Sequence, residues 1–104
     1  MRRGTTPTHT FTIPEDIDVS SMVAIFITYS QFSKTQLEKD ISQITIDGQV
    51  LSVHLTQEET LAFKVDLSGR NTGVQIRSRD VAGEAYGTEE MRLVVEDVYK
   101  KGVI

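Results

Sequence analysis

The sequence predicts an all-β protein, an immunoglobulin-like antiparallel β-sandwich of about seven strands with one short helical turn. Three observations support this: apolar and polar residues alternate over short runs, turn residues bound these runs, and no helix-periodic stretch is long. The 104 residues suffice for one hydrophobic core and are too few for two. We therefore expect one domain over residues 1–104, with an N-terminal arm at 1–8 and a C-terminal tail at 97–104.

Two strands are predicted in the first third of the chain. His9–Ile13 alternates, with Phe11 and Ile13 on one face, and Pro14 ends its pairing. Met22–Gln31 is the most apolar run, and apolar residues occupy both of its faces. We expect this second strand to be central and covered on both faces.

The next predicted strand lies at the edge of a sheet. Thr35–Ile41 places Leu37 alone among charged residues. Its charged residues Glu38 and Lys39 would discourage the addition of another sheet, as is usual for edge strands.

A β-hairpin is the clearest local prediction. Ile44–Ile46 and Gln49–Leu55 alternate, and Asp47-Gly48 lies between them. Because glycine tolerates the positive φ of such turns, the pattern predicts a two-residue type I′ turn.

One or two helical turns are predicted directly after the hairpin, over Thr56–Phe63. Thr56–Glu59 has the spacing of a capping box, in which the Thr hydroxyl and the Glu carboxylate each accept a backbone N–H of the other residue. We expect Leu61 and Phe63 to pack beneath the sheets.

The last strands follow a loop. Val74–Val81 alternates cleanly, with Val74 and Ile76 facing inward and Gln75, Arg77 and Arg79 facing outward. Ala85–Thr88 and Met91–Val95 supply the remaining strand residues, interrupted by charged residues between them.

Composition excludes several classes of protein. Eleven Lys and Arg against fifteen Asp and Glu give a net charge of -4, which argues against a nucleic-acid partner. The absence of Cys excludes disulfides and thiol chemistry and fits synthesis in a reducing cytoplasm. No signal peptide and no apolar run near the roughly 20 residues of a membrane span is found, so we expect no membrane partner.

No residue pattern indicates catalysis or a cofactor. His9 and His54 lack a spacing that would aim two ligands at one point, so both are interpreted as rim histidines without a metal. Adjacent residues of a strand point to opposite faces, so neighbouring carboxylates cannot serve as acid and base for one substrate. These adjacent pairs are Glu15-Asp16, Glu58-Glu59, Glu89-Glu90 and Glu96-Asp97. We therefore expect no enzyme activity, no catalytic residue, no cofactor and no metal.

Arg77 and Arg79 are candidate binding residues. They share one face of a strand and could hold a phosphate or the carboxylates of a partner. The alternative is cross-strand charge matching with Glu38, Asp40 or Glu90.

Several segments carry a resemblance to a known family. These are Ile27–Gln31 (ITYSQ), Leu55–Phe63 (LTQEETLAF), Val74–Arg79 (VQIRSR) and both ends of the chain, Arg2–Thr12 and Lys101–Ile104. The chain resembles small phage and prophage proteins of Gram-positive hosts encoded among virion structural genes. It is also similar to the N-terminal immunoglobulin-like domain of phage baseplate upper proteins. The chain departs from this pattern at Ser68–Thr72 and Glu84–Glu90.

The resemblance implies a virion protein made in the bacterial cytoplasm, as a tail, baseplate, connector or capsid-associated component that binds other virion proteins and itself. The family carries no catalytic residue that could be transferred to this chain. The residues expected to bind partners are Arg2, Arg3, Arg77, Arg79, Tyr86, Val103 and Ile104, and the predicted edge strand offers a second mode of assembly. The alternative is a module that recognises host-surface carbohydrate or peptide through Ser68–Gly73 and Ala82–Tyr86, against which the few aromatic residues argue.

Overall fold

Two antiparallel sheets pack face to face in the computed structural model, which describes all 104 residues. The strands are β1 (Thr8–Thr12), β2 (Met22–Gln31), β3 (Lys34–Asp40), β4 (Thr45–Asp47), β5 (Val50–His54), β6 (Thr72–Asp80), β7 (Ala85–Gly87) and β8 (Met91–Arg92). One sheet has the order β1-β5-β4 and the other β3-β2-β6, with β7 and β8 both paired to the far side of β6. The predicted all-β sandwich is confirmed.

Three short helical segments connect the strands. The α-helix α1 spans Gln57–Leu61, and 3₁₀ turns span Val19–Ser21 and Ile41–Gln43. None of them has the length and apolar content to cross a membrane.

The core lies between the inner faces of the two sheets. Alternate residues of β2, namely Ile25, Ile27 and Tyr29, are at most 1% exposed. They pack in a single cluster of 13 buried apolar residues that includes Leu51 and Val53 of the smaller sheet. Burial of this cluster from water is the main favourable contribution to folding.

The outer face of β2 is open, so the prediction that both faces would be covered is wrong. Val23 is 49% exposed and Phe26 is 41% exposed. The sandwich has only two layers, and the three-stranded sheet covers one face of the larger sheet, so no further layer covers the other.

The predicted β4–β5 hairpin is confirmed, but its turn is not of type I′. Asp47 pairs with Val50, so Gly48 and Gln49 form the two-residue turn, and of these only Gly48 has a positive φ, at 59°. Positive φ at the first central residue alone is the pattern of a type II′ turn. The prediction failed because Asp47 extends the strand by one pair.

The predicted edge strand is confirmed as β3, which pairs only with β2. Of Glu38 and Lys39, the two charged residues expected to protect this edge, Lys39 does not do so. Lys39 pairs in register with Ile27 and therefore faces the core, where it is 7% exposed. Its Nζ lies 2.6 Å from Oε2 of Glu59, which supplies the opposite charge that a buried ammonium requires.

The capping box at the start of α1 is confirmed. Thr56 Oγ1 accepts the backbone N–H of Glu59 at 3.2 Å, and Glu59 Oε1 accepts that of Thr56 at 2.9 Å. Phe63 follows the helix and is 1% exposed beneath the sheets, whereas Leu61 is half-buried.

The predicted last strand is shorter than Met91–Val95. Only Met91–Arg92 pairs with β6, and Val95 then exchanges two backbone hydrogen bonds of 2.9 Å with Asp66. The residues expected as an N-terminal arm lie beside this segment, since Arg3 N donates to Glu96 O at 2.8 Å. The two ends of the chain thus lie side by side in a molecule measuring 47 × 26 × 19 Å.

Candidate interaction surface

Strand β6 presents Arg77 and Arg79 to solvent on the outer face of the larger sheet. Val74 and Ile76, which alternate with them, are 4% and 3% exposed and face the core. The predicted alternation is therefore confirmed, and both guanidinium groups lie on the uncovered face.

Strands β2 and β7 place small and aromatic residues beside the two arginines. Phe26 pairs with Arg77, and Ala24 pairs with Arg79. On the other side of β6, Ala85 lies opposite Arg79. These five residues, here called the arginine face, line a shallow depression with Phe26 exposed in it.

Neither arginine of this face forms an ion pair, because the five ion pairs of the protein involve other residues. Asp40 pairs with Phe26 from β3, so a whole strand separates its carboxylate from Arg77. Glu90 binds Arg92 instead, at 2.9 Å. The predicted alternative of cross-strand charge matching is therefore wrong, and both guanidinium groups are free for an anionic partner.

Tyr86 does not belong to the arginine face. It pairs with Ser78, whose neighbours Arg77 and Arg79 point to the opposite side of the sheet. Its hydroxyl donates to Asp80 Oδ2 at 3.2 Å, and burial together with this carboxylate raises the pKa of the phenol. Tyr86 instead lines an apolar slot between the sheets.

The N-terminal arginines are already engaged within the chain. Arg2 Nη2 lies 3.1 Å from Glu96 Oε2, and Arg3 Nη1 lies 2.8 Å from Asp97 Oδ1. Arg3 also donates to the backbone oxygen of Leu61. A partner would have to break these contacts before binding either guanidinium.

The candidate residues at the other end of the sequence are accessible. Val103 is 54% exposed and Ile104 is 84% exposed. The tail is held to α1 by Gln57, whose side-chain oxygen accepts the backbone N–H of Ile104 at 2.9 Å.

The two loops expected to form a ligand site lie at opposite ends of β6. Ser68–Gly73 leads into this strand and Ala82–Tyr86 follows it. Since β6 has nine residues, the loops are about 26 Å apart along the strand. They cannot form one site, because a single strand connects them without reversing direction.

A buried polar network that the sequence analysis missed holds the first of these loops. Asp66 Oδ2 accepts the backbone N–H of Asn71 at 2.9 Å and the hydroxyl of Thr72 at 2.7 Å. Gln31 Nε2 donates to the same hydroxyl at 2.9 Å. The hydrogen bond from Thr72 is the main reason that the pKa of Asp66 is lowered. Its only sequence signal was an Asp two residues before a Ser, which is common in turns.

The two histidines serve local contacts. His9 Nδ1 lies 2.6 Å from the hydroxyl of Tyr29, and His54 Nδ1 lies 3.0 Å from that of Thr8. Burial, and after it the N-terminal ammonium group, lowers the pKa of His9. No group of three or more His, Asp or Glu side chains is arranged to hold a metal ion.

No protein-family model matches the chain, and no match to it was found among the curated proteins or the solved structures.

Proposed function

We propose that this protein is a non-enzymatic assembly component of a phage particle, and that its arginine face binds an acidic patch of a neighbouring virion protein. The observation that carries the proposal is the pair Arg77 and Arg79, free of ion pairs beside the exposed Phe26. The resemblance of the sequence supports a virion role, as a tail, baseplate, connector or capsid-associated component, without selecting one of these positions.

The chemistry of the face suits a protein partner. Each guanidinium presents a planar set of N–H donors that matches a carboxylate in bidentate geometry. Phe26 offers apolar area beside Arg77, and aromatic and arginine side chains dominate the binding energy of protein interfaces. Because the neighbouring side chains of Ala24 and Ala85 are short, a partner can approach both guanidinium groups.

A virion context is supported by the residues that carry the resemblance. ITYSQ lies in β2, and LTQEETLAF follows β5 and contains α1, so these segments build the core and the capping box. A rigid sandwich suits a protein whose role is to be positioned between neighbours.

The experiment compares incorporation into particles. Particles purified from the host would be analysed by quantitative mass spectrometry for wild type, Arg77→Glu/Arg79→Glu and the matched control Lys34→Glu/Arg70→Glu. Both variants change the charge equally at exposed positions. We expect wild type and control in a constant copy number and at least tenfold less of the arginine-face variant. Absence of the wild-type protein from particles refutes the virion role, and equal incorporation of both variants refutes the face.

A second candidate function is recognition of a host-surface carbohydrate. Phe32 is 46% exposed at the β2–β3 turn, beside a polar depression formed with Ser33, Arg70 and Asn71. An exposed aromatic ring among hydrogen-bonding groups is the arrangement that a sugar requires. Glycan-array binding that is lost in Phe32→Ala and kept in Arg77→Glu/Arg79→Glu would favour this function, and no binding by the wild type would reject it.

A further inference from the structure

An apolar slot opens between the two sheets at the end of the molecule where β2 begins. Eight of its twelve lining residues are hydrophobic, among them Ile13, Ile17, Met22 and Ile76, and Tyr86 completes the wall on the side of β7. Its volume of about 30 Å³ corresponds to roughly two water molecules. The slot therefore fits the tip of one branched aliphatic side chain.

The wall of the slot also offers free backbone groups. Strand β7 pairs only with β6. Just beyond its two ends, Glu84 O accepts the backbone N–H of Asp80, and the backbone N–H of Thr88 donates to Ile76 O. Because such bonds are made at alternate residues, the backbone groups of Ala85 and Gly87 point away from β6. An extended segment can add to this edge and place alternate side chains over the slot.

Four carboxylates stand next to the lining residues of the slot along the chain. Glu15 and Asp16 lie between its lining residues Pro14 and Ile17, and Glu84 and Glu89 flank the stretch of β7 and Thr88 that lines the other side. None of these four carboxylates takes part in an ion pair. The chemistry of the slot thus calls for a segment that combines positive charge with an aliphatic side chain.

The segment 99–104 of the same sequence has this chemistry. It reads Tyr-Lys-Lys-Gly-Val-Ile, and Tyr99, Val103 and Ile104 are 104%, 54% and 84% exposed. Lys100 contacts no carboxylate, and Lys101 is 67% exposed in its pair with Asp97.

We propose that the slot binds segment 99–104 of a second copy of this chain. Lys100 and Lys101 then lie near the four carboxylates beside the slot. Either Val103 or Ile104 enters the slot, because neighbouring residues of a strand point to opposite faces. This inference rests on the proposed role as an assembly protein, but it uses a different surface from the arginine face.

The positions of slot and tail make the contact a head-to-tail one. Gln57 holds the tail near the start of β1, whereas Ile13 and Pro14 of the slot follow the end of that strand. In a molecule 47 Å long, the tail therefore cannot reach its own slot without leaving α1. A contact between two different surfaces builds a ring where the rotation closes and a filament where it does not.

Complementation between two variants tests the proposal. The tail variant is Val103→Asp/Ile104→Asp, and the slot variant is Glu15→Lys/Asp16→Lys, which alters only exposed residues. Masses would be measured by sedimentation equilibrium. We expect the wild-type mass to rise above the 11.6 kDa monomer as the concentration approaches the order of 1 mM. Each variant alone should remain monomeric, and an equimolar mixture should form dimers through the one intact tail and the one intact slot.

Two controls separate this proposal from the arginine face. Glu38→Lys/Glu90→Lys reverses two exposed carboxylates away from the slot, and Arg77→Glu/Arg79→Glu disrupts the arginine face. Both should associate like the wild type. A monomeric wild type, a mixture that does not associate, or loss of association in Arg77→Glu/Arg79→Glu would each overturn the head-to-tail contact.

Discussion

Glu59 stabilises two elements with one carboxylate. Oε1 accepts the backbone N–H of Thr56 and so caps α1, while Oε2 accepts from Lys39 of the edge strand. Burial opposes ionisation of this carboxyl, but the hydrogen bonds from Lys39 and Thr56 outweigh it, so the pKa of Glu59 is lowered. The charge of Lys39 is thereby compensated inside the sandwich, and the helix is fixed to the larger sheet.

Removing the charge of Glu59 should destabilise the fold. In Glu59→Gln the ammonium of Lys39, 7% exposed, loses its counter-charge, which we expect to lower the free energy of unfolding by about 2 kcal/mol. The matched control is Glu58→Gln in the same helical turn, whose exposed side chain makes no contact of this kind and should change stability by less than about 0.5 kcal/mol. Urea unfolding checks both, and equal effects of the two variants would contradict this role.

His9 should make the protein less stable in mild acid. Its folded-state pKa is lowered by burial, so below about pH 6.5 the unfolded chain binds a proton more readily than the folded one. Stability is therefore complete above that pH and declines as the pH falls towards the folded-state pKa. We expect the urea midpoint to fall between pH 7 and pH 5 in the wild type and in His54→Gln, and less in His9→Gln. A midpoint equally pH-dependent in all three proteins would exclude His9 as the cause.

At the scale of elements, the turn between β2 and β3 is under backbone strain. Phe32 and Ser33 both have positive φ, at 51° and 64°, which is the type I′ pattern predicted for the other hairpin. Two contacts hold Phe32 in this conformation. The centre of its ring lies 5.5 Å from the ammonium of Lys64, and its backbone N–H donates to Asn71 O. The sequence contains no Gly or Asn here, so propensity alone could not predict this turn, and the pairing of two long strands imposes it.

Relieving the strain should stabilise the hairpin. Ser33→Gly removes the Cβ that disfavours a left-handed backbone, and the greater flexibility of unfolded Gly offsets part of the gain. We expect a rise of up to about 1 kcal/mol in the free energy of unfolding. Ser33→Ala keeps the Cβ and should give no rise, so thermal unfolding of both variants checks the argument. An equal gain in Ser33→Ala would show that the side chain of Ser33, and not φ, is responsible.

At the scale of the whole molecule, the different sizes of the two sheets determine which residues are exposed, because the three-stranded sheet covers only one face of the larger sheet. Alternation along Val74–Val81 sufficed to predict that Arg77 and Arg79 face outward, and the Thr56–Glu59 spacing sufficed for the cap. Neither pattern shows that β2 separates Arg77 from Asp40. The slot was equally out of reach, because it forms where residues near 13–17 meet Tyr86, and such long-range pairings are set by packing of the complete chain.

We propose that a neighbouring protein covers the arginine face in the assembled particle. The most direct measurement is the reactivity of Arg77 and Arg79 towards an arginine-specific dicarbonyl reagent, read by peptide mass spectrometry in the free protein and in purified particles. We expect at least tenfold lower reactivity of both in the particle, with the exposed Arg70 as an internal reference that reacts equally in both samples. Equal reactivity of Arg77 and Arg79 in the free and assembled protein would contradict the claim.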